Sequence, residues 1–312
     1  MMKAIRIHGY GGPEQLRYED ALDPMLHKGQ ILVRVYAASV NPVDYKLASG
    51  AMREFVPLPF PWIPGGDFAG TVERLGEGVT TLRPGDDVFG ASPFGGAYAR
   101  FVVAPAETAA PKPRKLNYLE AASVPIAGLT AWQGLFDHAR LQPGQTILIH
   151  AAAGGVGSFA VQLAHWKKAR VLATGSAANS AYLRELGSDE VIDYTKTRFE
   201  TVAQDVDVVF DLVGGETQLR SFATLKRGGH LISAVQPPSQ EAARNYGIHA
   251  MMMRMQASPR GLARLGELID GGELKTNVTM TYPLSKVPEA WKQIMSGHTR
   301  GKMVVEIGSG GR

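Results

Sequence analysis

The stretch Thr146-Ile-Leu-Ile-His150-Ala-Ala-Ala-Gly154-Gly155-Val-Gly157 decides the fold. Ile147, Leu148 and Ile149 form an apolar run suited to a strand covered on both faces. That run passes directly into a glycine-rich turn, and from about Val156 to Lys167 the pattern is helical. Ala152, Gly154 and Gly157 stand at the spacing of G-x-G-x-x-G, with alanine in place of the first glycine. Small residues let the backbone turn tightly and approach phosphate oxygens. The helix aims its free N–H groups and positive dipole end at the same anion. Strand, turn and helix in this order suit a dinucleotide pyrophosphate, with Ala153, Gly154, Gly155, Val156 and Gly157 expected to touch it. A turn of this kind that holds no ligand is the alternative reading.

Downstream, helix and strand patterns alternate, which predicts a parallel α/β sheet. Arg170–Thr174, Val191-Ile192, Asp207–Val213 and His230–Val235 read as strands, and Gly187 ends the helix begun near Ser180. Upstream, from Met1 to about Pro113, short strands and turns dominate: Gln30–Ala37, Gly70–Gly76 and Ala97–Ala104 are the clearest strands. From about Gly271 the texture reverts, with a strand near Val278, a helix capped by Ser285 and a closing strand Lys302–Ile307. The predicted architecture is therefore a doubly wound parallel sheet inserted into a mostly β domain. Its boundaries are expected at 1–118, 119–265 and 266–312.

A length of 312 residues suits two domains. A net charge of +4 with scattered basic residues offers no nucleic-acid stripe, so no nucleic-acid partner is expected. No apolar run reaches the length of a membrane span, and Met1–Ile7 is strand-like rather than a signal core. A soluble, cytoplasmic protein is expected, with a flexible tail at Gly308–Arg312. The chain has no cysteine, which excludes disulfides, thiolate nucleophiles and Cys-based zinc sites. The eight histidines show no metal spacing, and His150 reads as a packed strand residue.

Several motifs, spread over most of the chain, give it a specific likeness. They are Ser39-Val-Asn41-Pro42-Val-Asp44-Tyr45-Lys46, Ile63-Pro-Gly-Gly66-Asp67-Phe-Ala-Gly70, Leu82-Arg-Pro-Gly85, Gly128-Leu-Thr130-Ala-Trp, the glycine turn, Leu186–Tyr194 and His298-Thr-Arg300-Gly-Lys302. In order and spacing these resemble the medium-chain dehydrogenase/reductase family, in its zinc-free quinone oxidoreductase (zeta-crystallin-like) branch. The resemblance implies a Rossmann-type domain inserted into a GroES-like catalytic domain, and a homodimer. Zinc members of that family hold a catalytic metal with Cys, His and Cys. Here Asn41 stands at the first position and Gly66 at the histidine, so no metal is expected. Without a Lewis acid, ionising an alcohol at neutral pH is hard. Hydride transfer to a quinone or an α,β-unsaturated carbonyl does not need one.

The loop after the second strand, Thr174-Gly175-Ser176, carries no acid to hold a ribose 2′-OH, and Ser176 can donate to a 2′-phosphate, so NADPH is the expected cofactor. The resemblance adds Tyr194 at the adenosine end and Thr130 against the nicotinamide, although Thr130 is also readable as a helix residue bonding its own backbone. Backbone groups near Val213 and Val235 are expected at the carboxamide. Lys302 or Arg300 is expected to supply the missing cationic contact, with a solvated charge as the alternative. Asn41, Tyr45 and Lys46 are the expected catalytic residues. Asn41 is read as a donor to the acceptor carbonyl, with a plain turn residue as its alternative, and Lys46 as either a charge stabiliser or a surface residue. Arg53, Phe55, Phe60 and Trp62 are read as pocket lining or packing, and the cluster Met251, Met252, Met253 and Met255 as adaptable lining of an apolar cleft or as core or subunit-interface packing.

The function these features imply is NADPH-dependent reduction of small-molecule quinones or enones by zinc-independent hydride or single-electron transfer. An enone or alkenal reductase with little quinone activity is the enzyme alternative. An NADPH-binding protein without important catalysis is the alternative from another class.

Overall fold

Strand β1 (Met2–Arg6) pairs antiparallel with β2 (Arg17–Ala21). They are followed by β3 (Gln30–Ser39), α1 (Pro42–Ala48), β4 (Asp67–Leu75), β5 (Asp87–Ala91), β6 (Phe101–Pro105), β7 (Ala109–Pro111) and α2 (Tyr118–Ala122). The computed structural model describes residues 1–93 and 95–308, so the tail expected from Gly308 lies almost wholly outside the described residues. The strand expected at Ala97 starts only at Phe101. Before it, Ala99 bridges Ala4 and Tyr98 O accepts from Ile5 N at 2.9 Å, which ties this stretch to β1. α2 begins with a capping box: Asn117 Oδ1 accepts from Glu120 N, and Glu120 Oε2 accepts from Asn117 N.

The middle of the chain is the alternating region. It contains α3 (Pro125–Trp132), β8 (Thr146–Ile149), α4 (Gly155–Trp166), β9 (Arg170–Gly175), α5 (Ser180–Glu185), β10 (Glu190–Asp193), β11 (Val206–Asp211), α6 (Gly215–Ser221), β12 (Leu225–Ser233), α7 (Gln240–Tyr246) and β13 (His249–Met252). The six strands form one parallel sheet in the order β10-β9-β8-β11-β12-β13. Counted from β8 this is 3-2-1-4-5-6, the Rossmann order. The order reverses between β8 and β11, so the glycine turn after β8 sits at the switch point where such sheets bind ligands. Leu148, Leu172, Val209, Phe222 and Leu231 are fully or almost fully buried in the core around the sheet.

The chain closes with α8 (Pro259–Gly271), β14 (Val278–Pro283), α9 (Val287–Met295) and β15 (Lys302–Glu306). β14 and β15 complete a sheet of order β14-β15-β3-β4-β5-β7, with β6 also paired to β3. The predicted return to the first domain is thus a return to its central sheet. Ile5, Val33, Phe68, Tyr98, Trp291 and Val305 share its core.

Two compact units result: 1–126 with 257–272 and 276–312, and 127–256 with 273–275. The divisions differ from those expected at 118 and 265. Residues 119–126 stay with the first unit because α2 packs on β3 and β4. α8 stays there too: it packs on β7, and the Asp270 carboxylate accepts from Arg114 N and Lys115 N at 3.2 and 3.0 Å. Residues 273–275 belong to the second unit, where Gln162 exchanges two hydrogen bonds with the Lys275 backbone.

Candidate active site

In the second unit the glycine turn has the geometry a pyrophosphate cradle needs. A Cβ built on Gly157 would lie 2.4 Å from Ala151 O and 2.6 Å from Ala152 Cα, both backbone atoms that cannot yield. The third glycine is therefore required for helix α4 to pack against its own loop. Ala151 is itself held at φ 48°, in the left-handed region that non-glycine residues seldom adopt. Ala153 and Gly157 are buried, while Gly154, Gly155 and Val156 are partly open at the start of a twelve-residue helix.

The residues expected at the nucleoside end are carried by β9 and β10. Gly175 pairs with Asp193, and Tyr194 N donates to Gly175 O at 3.3 Å, which sets the exposed Tyr194 beside the Ser176 loop. Ser176 Oγ accepts from Asn179 Nδ2 at 3.2 Å, an arrangement that leaves the hydroxyl proton to donate. Thr174 is buried, and its hydroxyl lies 3.2 Å from His150 Nδ1. His150 also meets Ser221 Oγ at 2.9 Å through Nε2, and burial pushes its pKa down to about 4, so it is a neutral packing residue.

At the ends of β11 and β12 a buried carboxylate organises the backbone. Asp211 accepts from Val213 N, Gly214 N, Gln218 Nε2 and Ser233 Oγ, all between 2.8 and 3.0 Å. Ser233 Oγ in turn accepts from Val235 N at 3.3 Å. The two strand ends expected to face a carboxamide, Val213 and Val235, are thus linked through Asp211. Sequence reading missed this residue: an acid at the end of an apolar run gives no sign of which loop amides it will collect. Thr130 lies buried on α3.

In the first unit the polar residues converge on Asn41. This residue caps α1, and its backbone N–H donates to Asp44 Oδ2 at 2.9 Å. Its side chain is buried and fully engaged. Asn41 Nδ2 donates to Asp67 Oδ2 at 2.8 Å and to Ser39 Oγ at 3.3 Å, and Oδ1 accepts from Lys302 Nζ at 2.7 Å. Ser39 Oγ donates to Asp67 Oδ2 at 2.5 Å, and Ile126 N donates to Asp67 Oδ1 at 2.8 Å. Tyr98 OH donates to Asp44 Oδ2 at 3.1 Å. Burial raises the Asp44 carboxyl to about 7, helped by the negative Asp67 nearby. Burial also pushes Asp67 up and the Lys302 ammonium down, and each opposes the other's shift by attraction.

Two expectations are corrected here. Lys302 is not a surface cation available to a 2′-phosphate: it is 4 % exposed, on the first unit, and its ammonium is directed at Asn41 Oδ1, Val40 O and Asp67. Asn41 does not hold its carboxamide ready for an acceptor carbonyl, because both of its N–H groups already have acceptors in the buried network. Tyr45 and Lys46 lie half-buried on α1, one and two residues beyond Asp44. Phe55 is exposed, Phe60 meets Tyr10 edge-on, and Trp62 is core. Met253 is buried and Met251 half-exposed on β13, so the methionine cluster divides between core and sheet edge.

The positions that hold metal in zinc relatives are occupied differently. Asn41 is bonded to an ammonium, and Gly66 has no side chain. Among the described residues no group of three or more His, Cys, Asp or Glu is placed to hold a metal ion.

Comparison with known proteins places the chain in a family. Residues 27–114 match the model of the alcohol dehydrogenase GroES-like domain, and 186–305 that of a zinc-binding dehydrogenase domain. The chain is 33% identical to quinone-oxidoreductase QR1, chloroplastic, of Triphysaria versicolor, over 98% of both chains. It belongs to the quinone oxidoreductase branch of the medium-chain dehydrogenases/reductases. The family likeness extends to 2-methylene-furan-3-one reductase of Solanum lycopersicum, 33% identical over 97% of this chain and 79% of that one. The quinone oxidoreductase of Escherichia coli, solved in complex with NADPH, superposes with a TM-score of 0.90 at 28% identity, covering 98% of this chain and 100% of the other. This chain is accordingly an enzyme of the quinone or enone reductase kind, with a nicotinamide cofactor and a small-molecule substrate.

Proposed function

We propose that this enzyme reduces quinones or α,β-unsaturated carbonyls with NADPH and without a metal. The observation that carries the reading is the backbone-tight glycine turn at a Rossmann switch point. The turn and the N-terminus of α4 bind the pyrophosphate. Ser176, Tyr194 and Gly175 receive the adenosine end, where no acid in the Ser176 loop opposes a 2′-phosphate. Thr130 and the main chain at Val213 and Val235 orient the nicotinamide. When bound, NADPH supplies a hydride from C4 of that ring.

Tyr45 and Lys46 on α1 stabilise the negative charge that develops on the acceptor oxygen, and Asn41 fixes the helix that carries them. Water returns the proton that completes the reduction. The relatives support both acceptor classes, since one name states a quinone and the other a methylene conjugated to a ketone. β13 is the outer strand of its sheet, which supports the expected homodimer, and we place the enzyme in the cytoplasm.

The test is NADPH oxidation, with NADH in parallel, against a quinone and a small enone in chelator-treated buffer. Turnover with either acceptor and preference for NADPH is expected. Tight NADPH binding with no turnover on either would replace this reading with that of a nucleotide-binding protein.

A further inference from the structure

We infer that Lys302 is a positioning residue for the reduction, acting through Asn41 on helix α1; the inference rests on the proposed reading of α1 as the acceptor-facing element. The ammonium donates to two acceptors, Asn41 Oδ1 at 2.7 Å and Val40 O at 3.2 Å, and forms an ion pair with Asp67 Oδ2 at 3.8 Å. The backbone around it is pinned as well. Lys302 N donates to Asn277 O at 2.8 Å, and Val40 N donates to Met303 O at 3.0 Å. Strand β15 thus delivers a fixed cation to the residue that starts α1.

A buried ion pair is a poor means of adding stability, because desolvation offsets most of its attraction. Its better-attested use is to specify one geometry. Here the geometry specified is the χ angles of Asn41: Lys302 holds the carbonyl end of the carboxamide, while Asp67 and Ser39 hold the amino end. Only this orientation satisfies all four groups. With the charge removed, Asp67 would lose its counter-ion and Asn41 Oδ1 its donor, and the start of α1, with Tyr45 and Lys46 on it, would lose one of its anchors.

The experiment measures kcat and KM for the quinone or enone, and the NADPH Kd, for Lys302→Met, Lys302→Arg, Asn41→Ala and the Lys302→Met/Asn41→Ala pair. Lys302→Met should lower kcat by roughly 10-fold or more and change the NADPH Kd by less than about 2-fold. Lys302→Arg, which keeps the charge, should recover part of the loss. In the Asn41→Ala background, Lys302→Met should have about 2-fold or less further effect, because the two act as one element. Should Lys302→Met fail to fold, Lys302→Met/Asp67→Asn removes both charges and carries the same kcat and Kd comparison.

A weakened NADPH Kd with kcat retained would overturn the inference and return Lys302 to the nucleotide. Multiplicative losses in the paired variant would overturn it as well. An Asn41→Ala enzyme at full turnover would sink the reading of α1 itself. A slow Asn41→Ala enzyme beside an unaffected Lys302→Met enzyme would sink only the inference.

Discussion

At residue 41 one carboxamide meets an ammonium, a carboxylate and a hydroxyl, and its neighbour Asp44 has a titration that reports on the same buried centre. The Asp44 carboxyl is raised from 3.8 to about 7 by desolvation. The protonated form is therefore favoured by folding. Its contribution to stability is fully present below about pH 3.8 and is lost as the pH rises through 7. His150 works the other way: its depressed pKa gives stability above 6.5 that is lost as the pH falls toward 4. Comparing Asp44→Asn with the parent isolates the first effect. The parent should lose thermal stability between pH 5 and pH 8 by several degrees more than Asp44→Asn; parallel Tm profiles would mean that Asp44 is ionised across the range. At the proposed nucleotide end, Ser176→Asp places an acid where we propose the 2′-phosphate to bind and should move preference toward NADH by about 10-fold or more in kcat/KM. An unchanged ratio would mean that the 2′-phosphate is read by other residues. At this scale the sequence was legible where function depends on backbone shape and opaque where it depends on a long-range partner. Nothing in the spacing of Asn41, Asp67 and Lys302 states that 261 residues of chain bring the first and last within 2.7 Å.

Among the elements, the strand–turn–helix unit β8–α4 was the most legible, because glycine spacing and apolar run are local signals. Its cradle makes a sharp prediction. Gly157→Ala puts a methyl group within 2.4 Å of Ala151 O, so the turn must open. NADPH affinity by calorimetry should fall by about 10-fold or more, some 1.4 kcal/mol, while the first unit keeps its circular-dichroism signature. Retained affinity would show that the turn tolerates a side chain and does not grip the pyrophosphate. The loops after β11 and β12 were readable only as places where backbone groups would be presented. What holds them, Asp211, is a matter of tertiary hydrogen bonding. Asp211→Asn presents a donor where four donors converge and should lower stability by about 2 kcal/mol, seen as a reduced Tm. A melting curve superimposable on the parent's would show that the loops hold their shape without it. The boundary expected at 265 cuts α8 for a related reason: which sheet the helix covers depends on packing against β7 and on Asp270 accepting from Arg114 N and Lys115 N, contacts distant in the chain.

For the whole molecule, the order of the parallel sheet and the return of the C-terminal strands followed from the alternation of textures along the chain. The absence of cysteine made one chemical prediction at this scale. Exhaustive treatment with a chelator should leave kcat for the quinone or enone unchanged, because no step draws on a Lewis acid. Activity lost on chelation and restored by zinc would contradict it. The arrangement of the first unit also bears on how the protein is made. Its central sheet lacks β14 and β15 until residues 278–306 have been made, and Asp67 waits for a counter-ion that lies at residue 302. At about 5–20 residues per second, a ribosome needs roughly 10–50 s to add the 261 residues between Asn41 and Lys302. During that interval the nascent N-terminal segment holds a desolvation-prone carboxylate and an unpaired edge at β3. Synthesis therefore leaves the second unit able to fold first, and the central sheet of the first unit is completed afterwards, by β14 and β15.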